Sequence, residues 1–370
     1  MAFDNYYVDH SLHAGSPDSG TGTIGDPYSS LGYAFATETI DAFADGWRWN
    51  VKGTTALDPM TDLGTLPTGS SISRQLIIQS YDTVVGDSSA LVYLEDNGTQ
   101  EWTNVALDGI FFNGCHFSVS GGTGNDVFAD LDNNITFQCC EFDGCSVTGD
   151  SNNTAISCRF YNMTPGAGVT LLSASVAMYF CNVSGSGGYA GNIFSVSQAC
   201  GNSIYWDGDI NAMMVCQSNG GGVISNNSFM YGTKPTTTTG ACIRADDNTL
   251  IFGNYMENAR NAIQIEGNAD TPMVMDNAYF GNNTNINGSG YEDTETCTTY
   301  TQTVLTAAGL TDPANDDWTP TTELAELRTS GVGTGATPTT HPMSYGAFLS
   351  PNTGTGGGGY TYKPTLRIIN

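Results

Sequence analysis

Asp207 and Asp209 stand two residues apart in the segment YWDGDI, directly after Trp206. Glycoside hydrolysis needs two carboxyl groups about 5 to 9.5 Å apart, one giving a proton and the other attacking the sugar or activating water. An aromatic ring beside such a pair can stack on the sugar. Asp207 and Asp209 are therefore the candidate catalytic residues, and Trp206 is the candidate carbohydrate contact. Asp126, Asp130, Asp132 and Asp143 make a second acidic region on neighbouring loops. The competing reading is solvation: 37 acidic against 10 basic residues give a net charge of −27, and loop carboxylates are common in such a chain. Glu257 and Glu266 bracket Arg260 and read as an ion pair, which at a surface contributes only about 0–1 kcal/mol. His10, His13, His116 and His341 do not have zinc spacing, nor do the adjacent Cys139 and Cys140. No metal site and no cofactor are expected. Ca²⁺ would suit the carboxylates, but no motif supports it.

The charge also narrows the partners. An acidic surface repels phosphate backbones and anionic membranes and suits cations or glycans, so neither nucleic-acid binding nor membrane insertion is expected. No apolar run is long enough to span a bilayer, and Met1 to His10 do not form a charged-then-apolar leader, which sets the expectation of synthesis in a cytosol. Ten cysteines in 370 residues do not make a disulfide scaffold. Triplets of the glycosylation type at Asn134, Asn162 and Asn182 arise by chance in an Asn- and Thr-rich chain.

What positions these residues is a repeat. Cys115, Cys140, Cys158, Cys181, Ser203, Asn227, Asn254 and Asn277 follow one another at gaps of 25, 18, 23, 22, 24, 27 and 23 residues. Two residues after them stand Phe117, Phe142, Phe160, Val183, Tyr205, Phe229, Met256 and Tyr279. Three residues before them stand Phe112, Phe137, Ala155, Met178, Cys200, Ile224, Ile251 and Val274. Both flanking columns are wholly apolar. A period of this size marks a solenoid, in which each unit buries its apolar face only by stacking on its neighbours. Gly, Asn, Ser and Thr between short β-branched or aromatic pieces exclude helical and leucine-rich repeats and leave short strands joined by turns. About twenty-three residues suit one coil of a right-handed parallel β-helix with coils about 4.8 Å apart. The reference column is then an internal ladder at a bend: Asn satisfies backbone groups there, and the cysteines pack as buried, reduced thiols.

The ends differ from the coils. After a short strand at Tyr6 to Val8 and a Gly/Ser/Asp loop, Leu31, Phe35, Ile40 and Phe43 fall at helical spacing within Leu31 to Asp45, with Ser30 as N-cap and Gly46 as stop. A helix there would cover the open end of the solenoid, whose edges otherwise meet water. Strand-like pieces follow at Arg48 to Lys52 and Gln75 to Gln79. The order YVD, DPYSSLGYAF, WNVKGT and RQLIIQSYDTVVGD resembles the start of right-handed β-helix proteins of the pectate-lyase-like superfamily, above all those of bacteriophage virions. NDDWTPTTELAEL and SYGAF (Ser344 to Phe348) resemble their closing segment. The resemblance spans most of residues 5 to 350 and brings no catalytic residue with it. The family's lyase chemistry uses carboxylate-held Ca²⁺ and a basic residue, whereas Arg159, Lys234, Arg244 and Arg260 sit in no such motif.

The fold expected is all-β: a single-stranded right-handed parallel β-helix with an N-terminal capping helix. Its parts are a strand, loop and capping helix over 1–46, the β-helix with its closing segment over 47–350, and a Gly-rich linker with a docking tail over 351–370. The resemblance implies a virion structural protein, a tail spike, fibre or capsid-surface appendage, assembling as a trimer with other virion proteins and contacting host-surface polysaccharide. A polysaccharide lyase or hydrolase acting as a depolymerase, and an extracellular bacterial adhesin, are the alternatives. The tail holds Tyr360, Tyr362, Leu366, Ile368 and Ile369 in near-alternation with polar residues, plus Lys363 and Arg367, which suits adding a strand to an acidic neighbour's sheet. Deleting residues 355–370 should leave thermal unfolding of the β-helix nearly unchanged and lower the oligomeric mass measured by light scattering. Unchanged assembly would make the tail a frayed end.

Overall fold

The computed structural model describes residues 4–12, 19–38, 47–52, 58–59, 76–83, 91–96, 102–103, 110–119, 126–131, 135–149, 153–164, 171–216, 222–236, 240–245, 248–266, 272–275, 277–288, 292–293, 303–315 and 317–324. The chain forms two compact units that divide between Tyr161 and Asn162. Both are built from stacked parallel strands, an arrangement consistent with a parallel β-solenoid.

In the first unit, one face is the sequence of strands Asp4–Val8, Trp47–Lys52, Leu76–Tyr81, Ile110–Asn113, Thr136–Gln138 and Thr154–Ile156, each parallel to the next. A second face stacks Asp58–Pro59, Val92–Asp96, Cys115–Val119, Glu141–Asp143 and Arg159–Met163. A third stacks Trp102–Thr103, Asp126–Leu131 and Ser146–Gly149. The core between them is aromatic: Phe112 stacks on Phe137 at 5.4 Å, and Phe117, Phe142 and Phe160 form a column at 5.0 and 4.6 Å. Such offset stacking follows from parallel in-register strands, which place like residues directly above one another.

The second unit repeats the plan. Its second face runs Asn182–Ser186, Ser203–Asp207, Ser228–Tyr231, Tyr255–Glu257, Ala278–Phe280 and Thr303–Val304. The long strand Tyr189–Cys200 turns a corner, pairing with Ile210–Cys216 on the third face and with Gly222–Ser225 on the first. The one antiparallel pair among its described strands is the hairpin Leu310–Asp312 with Asp317–Pro320.

Seven coils bend through one residue of left-handed backbone placed directly before the ladder position. These are Gly114, Cys139 and Ser157 in the first unit and Phe180, Gly201, Asn226 and Gly253 in the second, with φ between 53° and 73°. Left-handed backbone costs a non-glycine residue about 1–2 kcal/mol, so the ladder behind it must repay that strain. It does so through hydrogen bonds. Asn227 Oδ1 accepts from Asn202 N and Nδ2 at 2.9 Å each, Asn254 Oδ1 from Asn227 N and Nδ2 at 3.0 Å, and Asn277 Oδ1 from Asn254 N and Nδ2 at 3.0 Å. Each Nδ2 also donates to a carbonyl of the preceding coil, Asn227 to Ala199 O and Asn254 to Ile224 O. The four asparagines are 0% exposed and fully satisfied.

The cysteines occupy the same position and use the same acceptor. Cys140 Sγ donates to Phe112 O and Cys158 Sγ to Phe137 O, at 3.5 and 3.3 Å. Burial pushes the Cys140 thiol well up, so it remains a protonated donor. Of the nine described cysteines, eight are buried and Cys200 is half-buried.

Seven of the eight reference positions stand where the repeat puts them. The exception is Ser203: the ladder residue of that coil is Asn202, whose Oδ1 accepts from Cys181 N at 2.8 Å. A slip of one residue exchanges the faces of a strand. Ile204 and Ala199 are accordingly buried, while Tyr205 and Cys200, assigned to the core by the slipped register, are half-exposed. The helix is also shorter than expected. It covers Leu31–Thr37, with the Ser30 hydroxyl accepting from Tyr33 N, and the chain becomes extended at Glu38, whose carboxylate accepts from the Tyr28 hydroxyl. Residues 39–46 lie outside the described residues, as do SYGAF and the tail residues Tyr360, Tyr362, Leu366, Ile368 and Ile369.

Replacing Asn227 by Ala removes the acceptor for two buried donors of Asn202. Each orphaned group costs about 1–3 kcal/mol, so chemical denaturation should show a loss of at least about 2 kcal/mol. A half-exposed control off the ladder, Asn211→Ala, which loses only a bond to Ala190 O, should cost less.

Candidate functional site

On the strand Ser203–Asp207, Ile204 and Trp206 point inward and Tyr205 and Asp207 outward. Trp206 is 0% exposed, and its indole N–H donates to Gly187 O at 3.0 Å. The expectation of a sugar-stacking face at Trp206 is thereby corrected: the side chain fills the core. The following bend needs glycine. A Cβ on Gly208, whose φ is 153°, would lie 2.3 Å from Gly187 O.

Past that bend Asp209 faces a different coil. Its carboxylate accepts from Thr236 N and from the Thr236 hydroxyl, both at 2.6 Å. Lys234 of the same loop donates to Asn283 Oδ1 at 3.1 Å and to Gly281 O. Asp209 thus ties down the start of the Pro235 loop, whose residues 237–239 lie outside the described set. Asp207 alone of the pair is exposed to solvent. The two carboxylates therefore stand in different settings, Asp209 holding a loop and Asp207 in water.

The ion pair expected around Arg260 is also corrected. Glu266 pairs with Arg244, whose strand Ala241–Ala245 lies parallel to Asn261–Ile265. Glu257 is buried, 4% exposed, and accepts from the Tyr255 hydroxyl, whose oxygen accepts from Gly309 N at 2.6 Å. Tyr255 belongs to the cluster where Leu305, Leu310, Trp318 and Leu324 cover it and Ala278 on the outside of the second face. Gly309 is required there, since a Cβ would sit 2.5 Å from the Tyr255 ring.

Of the second acidic region, Asp126 stands on the strand Asp126–Leu131, as does Asp130. Asp143 ends the strand Glu141–Asp143, and Asp132 lies outside the described residues. The polar group that sequence reading missed is on the same wall as Asp143. His116, Glu141 and Arg159 share one column across three coils, with His116 Nδ1 3.3 Å from Glu141 Oε2 and the Arg159 guanidinium 4.8 Å from the Tyr161 ring centroid. Each follows a ladder cysteine by one residue, which was the available signal. His116 is only 7% exposed. His10 is likewise buried, and His13 and His341 lie outside the described residues.

Among the described residues no group of three or more His, Cys, Asp or Glu side chains is arranged to hold a metal ion. No described helix is long and apolar enough to cross a membrane. No protein-family profile, curated protein or solved structure matches the chain.

Burial raises the Glu257 carboxyl above its ordinary value of 4.5, and the Tyr255 hydroxyl and Gly309 N–H only partly oppose it. A raised folded-state pKa gives stability that is full below the unfolded value and is lost as pH rises through the folded one. Glu257→Gln keeps an acceptor for Tyr255 and removes the charge. Its melting temperature relative to wild type should therefore be higher at pH 8 than at pH 4. An offset independent of pH would remove Glu257 as the cause.

Proposed function

We propose that the protein is a structural component of a bacteriophage-like virion: an oligomeric, right-handed parallel β-helix appendage of the pectate-lyase-like kind that contacts host-surface glycans. The observation that carries this reading is the use of polar side chains as internal stitching. Asn202, Asn227, Asn254 and Asn277 hold coil to coil, and Asp209 holds a loop. Such a molecule is stiff and chemically quiet, as a particle's appendage must be. Right-handed winding accords with the strong preference of parallel β connections for that hand. The helix Leu31–Thr37 serves as the cap of the first coil, shielding strand edges that would otherwise recruit other chains. The charge of −27 favours neutral or cationic ligands over polyanions.

The test uses the whole chain with capsular and O-chain polysaccharides from candidate host bacteria. Light scattering should give a mass that is a multiple of 39.0 kDa, and polysaccharide length and reducing ends should not change. A monomer at all concentrations would overturn the appendage. Shortening of the polysaccharide, abolished by Asp207→Asn, would make the protein a depolymerase.

A further inference from the structure

In the second unit the first face carries an outward pair of columns that hold no charge over five rungs, after which Glu292 follows Met273 in the first column. Register places Ala177, Gln198, Val223, Leu250 and Met273 in one column, and Tyr179, Cys200, Ser225, Phe252 and Met275 in the next. The alternate residues Met178, Ala199, Ile224, Ile251 and Val274 are buried in the core, so these ten face away from it, with Ser225 alone among those whose burial is described covered by its neighbours. Val223 and Met273 are 37% and 41% exposed, and Leu250, Phe252, Met275 and Tyr179 are half-exposed. Phe180, 53% exposed, borders the second column at the bend, where its ring lies over Gly201. Three of the four exposed large apolar side chains described in this unit therefore lie on or beside one face. The fourth, Val304, stands elsewhere.

We infer that this face is the contact between copies of the chain, with a second copy of the same ladder as its occupant. The inference rests on the oligomeric reading given above and names the surface. Three arguments select the partner. Two chains of charge −27 repel each other except where their surfaces are uncharged, and these columns are such a place. A cationic partner would be drawn to the carboxylates and gain nothing here, and a glycan would find few polar groups among the ten. The ridges repeat about every 4.8 Å, a spacing that another parallel ladder reproduces and an irregular surface does not. Five rungs span about 20 Å and the two columns stand about 7 Å apart, so they present on the order of 200 Å², well short of the roughly 800 Å² per partner of a standard interface. The columns are thus the apolar centre of a larger contact with a polar rim.

Cys200 makes the face self-reporting, for it is the one described cysteine that is not buried. Peptide mapping after brief iodoacetamide treatment of the native full chain should show Cys200 protected in the assembled protein. In Val223→Lys/Met273→Lys it should be labelled, with the mass falling to 39.0 kDa and the circular dichroism unchanged. Val304→Lys should assemble as wild type. If wild type assembles and the double variant assembles equally with Cys200 still labelled, the face is wrong while the oligomer stands. If wild type is monomeric, both the oligomer and this surface fall. A double variant that lost its circular dichroism would leave the wild-type labelling to decide: Cys200 modified as fast in the assembly as in dilute monomer would overturn the proposal.

Discussion

The bend is where the chain must reverse without losing its backbone hydrogen bonds, and the rest of the structure depends on how that is done. Parallel strands need a crossover, and a solenoid makes it in stages, each corner exposing main-chain groups to a dry interior. At the corner before the second face, one left-handed residue turns the chain and one buried side chain collects the stranded groups. Where that side chain is Asn, it accepts from the previous coil twice and donates back to it. A thiol does less: it donates to the matching carbonyl but cannot accept as an amide oxygen does. Phenylalanine columns accompany the thiols in the first unit. Dispersion between stacked rings compensates there for the weaker polar link.

This corner was legible in the sequence because its chemistry is narrow. Only a small polar or thiol side chain fits, flanked by apolar residues at fixed offsets, and the burial of Phe142, Phe229 and Ile251 follows from that alone. The misassignment at Ser203 has a physical origin. Ser203 and Asn202 are both small and polar, and Tyr205 and Cys200 are apolar enough to satisfy a hydrophobicity pattern. The deciding signal was Gly201, since a glycine before the ladder residue supplies the left-handed turn.

The site was less legible. YWDGDI reads as an exposed aromatic with two acids, yet strict alternation in a strand sends Trp206 inward and Asp207 outward, and Gly208 then redirects Asp209 to a neighbouring coil. Spacing along the chain therefore misreports spacing in space. The partners of Glu257 and Glu266 illustrate the same point. In a solenoid the nearest charge is one coil away, some twenty residues along the chain, as Arg244 is to Glu266. Gly309 comes from farther still, 54 residues from the Tyr255 hydroxyl to which it donates.

The amide column has a direction. The Nδ2 groups of Asn202, Asn227 and Asn254 each point a proton at the Oδ1 of the next coil, ending at Asn277, so the four amides form a chain of aligned dipoles that polarise one another. Inverting one would set donor against donor on one side and acceptor against acceptor on the other. The rungs nonetheless tolerate coils of 25, 27 and 23 residues, because the extra length is taken up away from the bend. A solenoid of this kind can lengthen by duplicating a coil only if the new coil brings an asparagine facing the same way, whereas its outer loops can change freely. Growth of the stack and diversification of its surface are thus governed by separate parts of the same repeat.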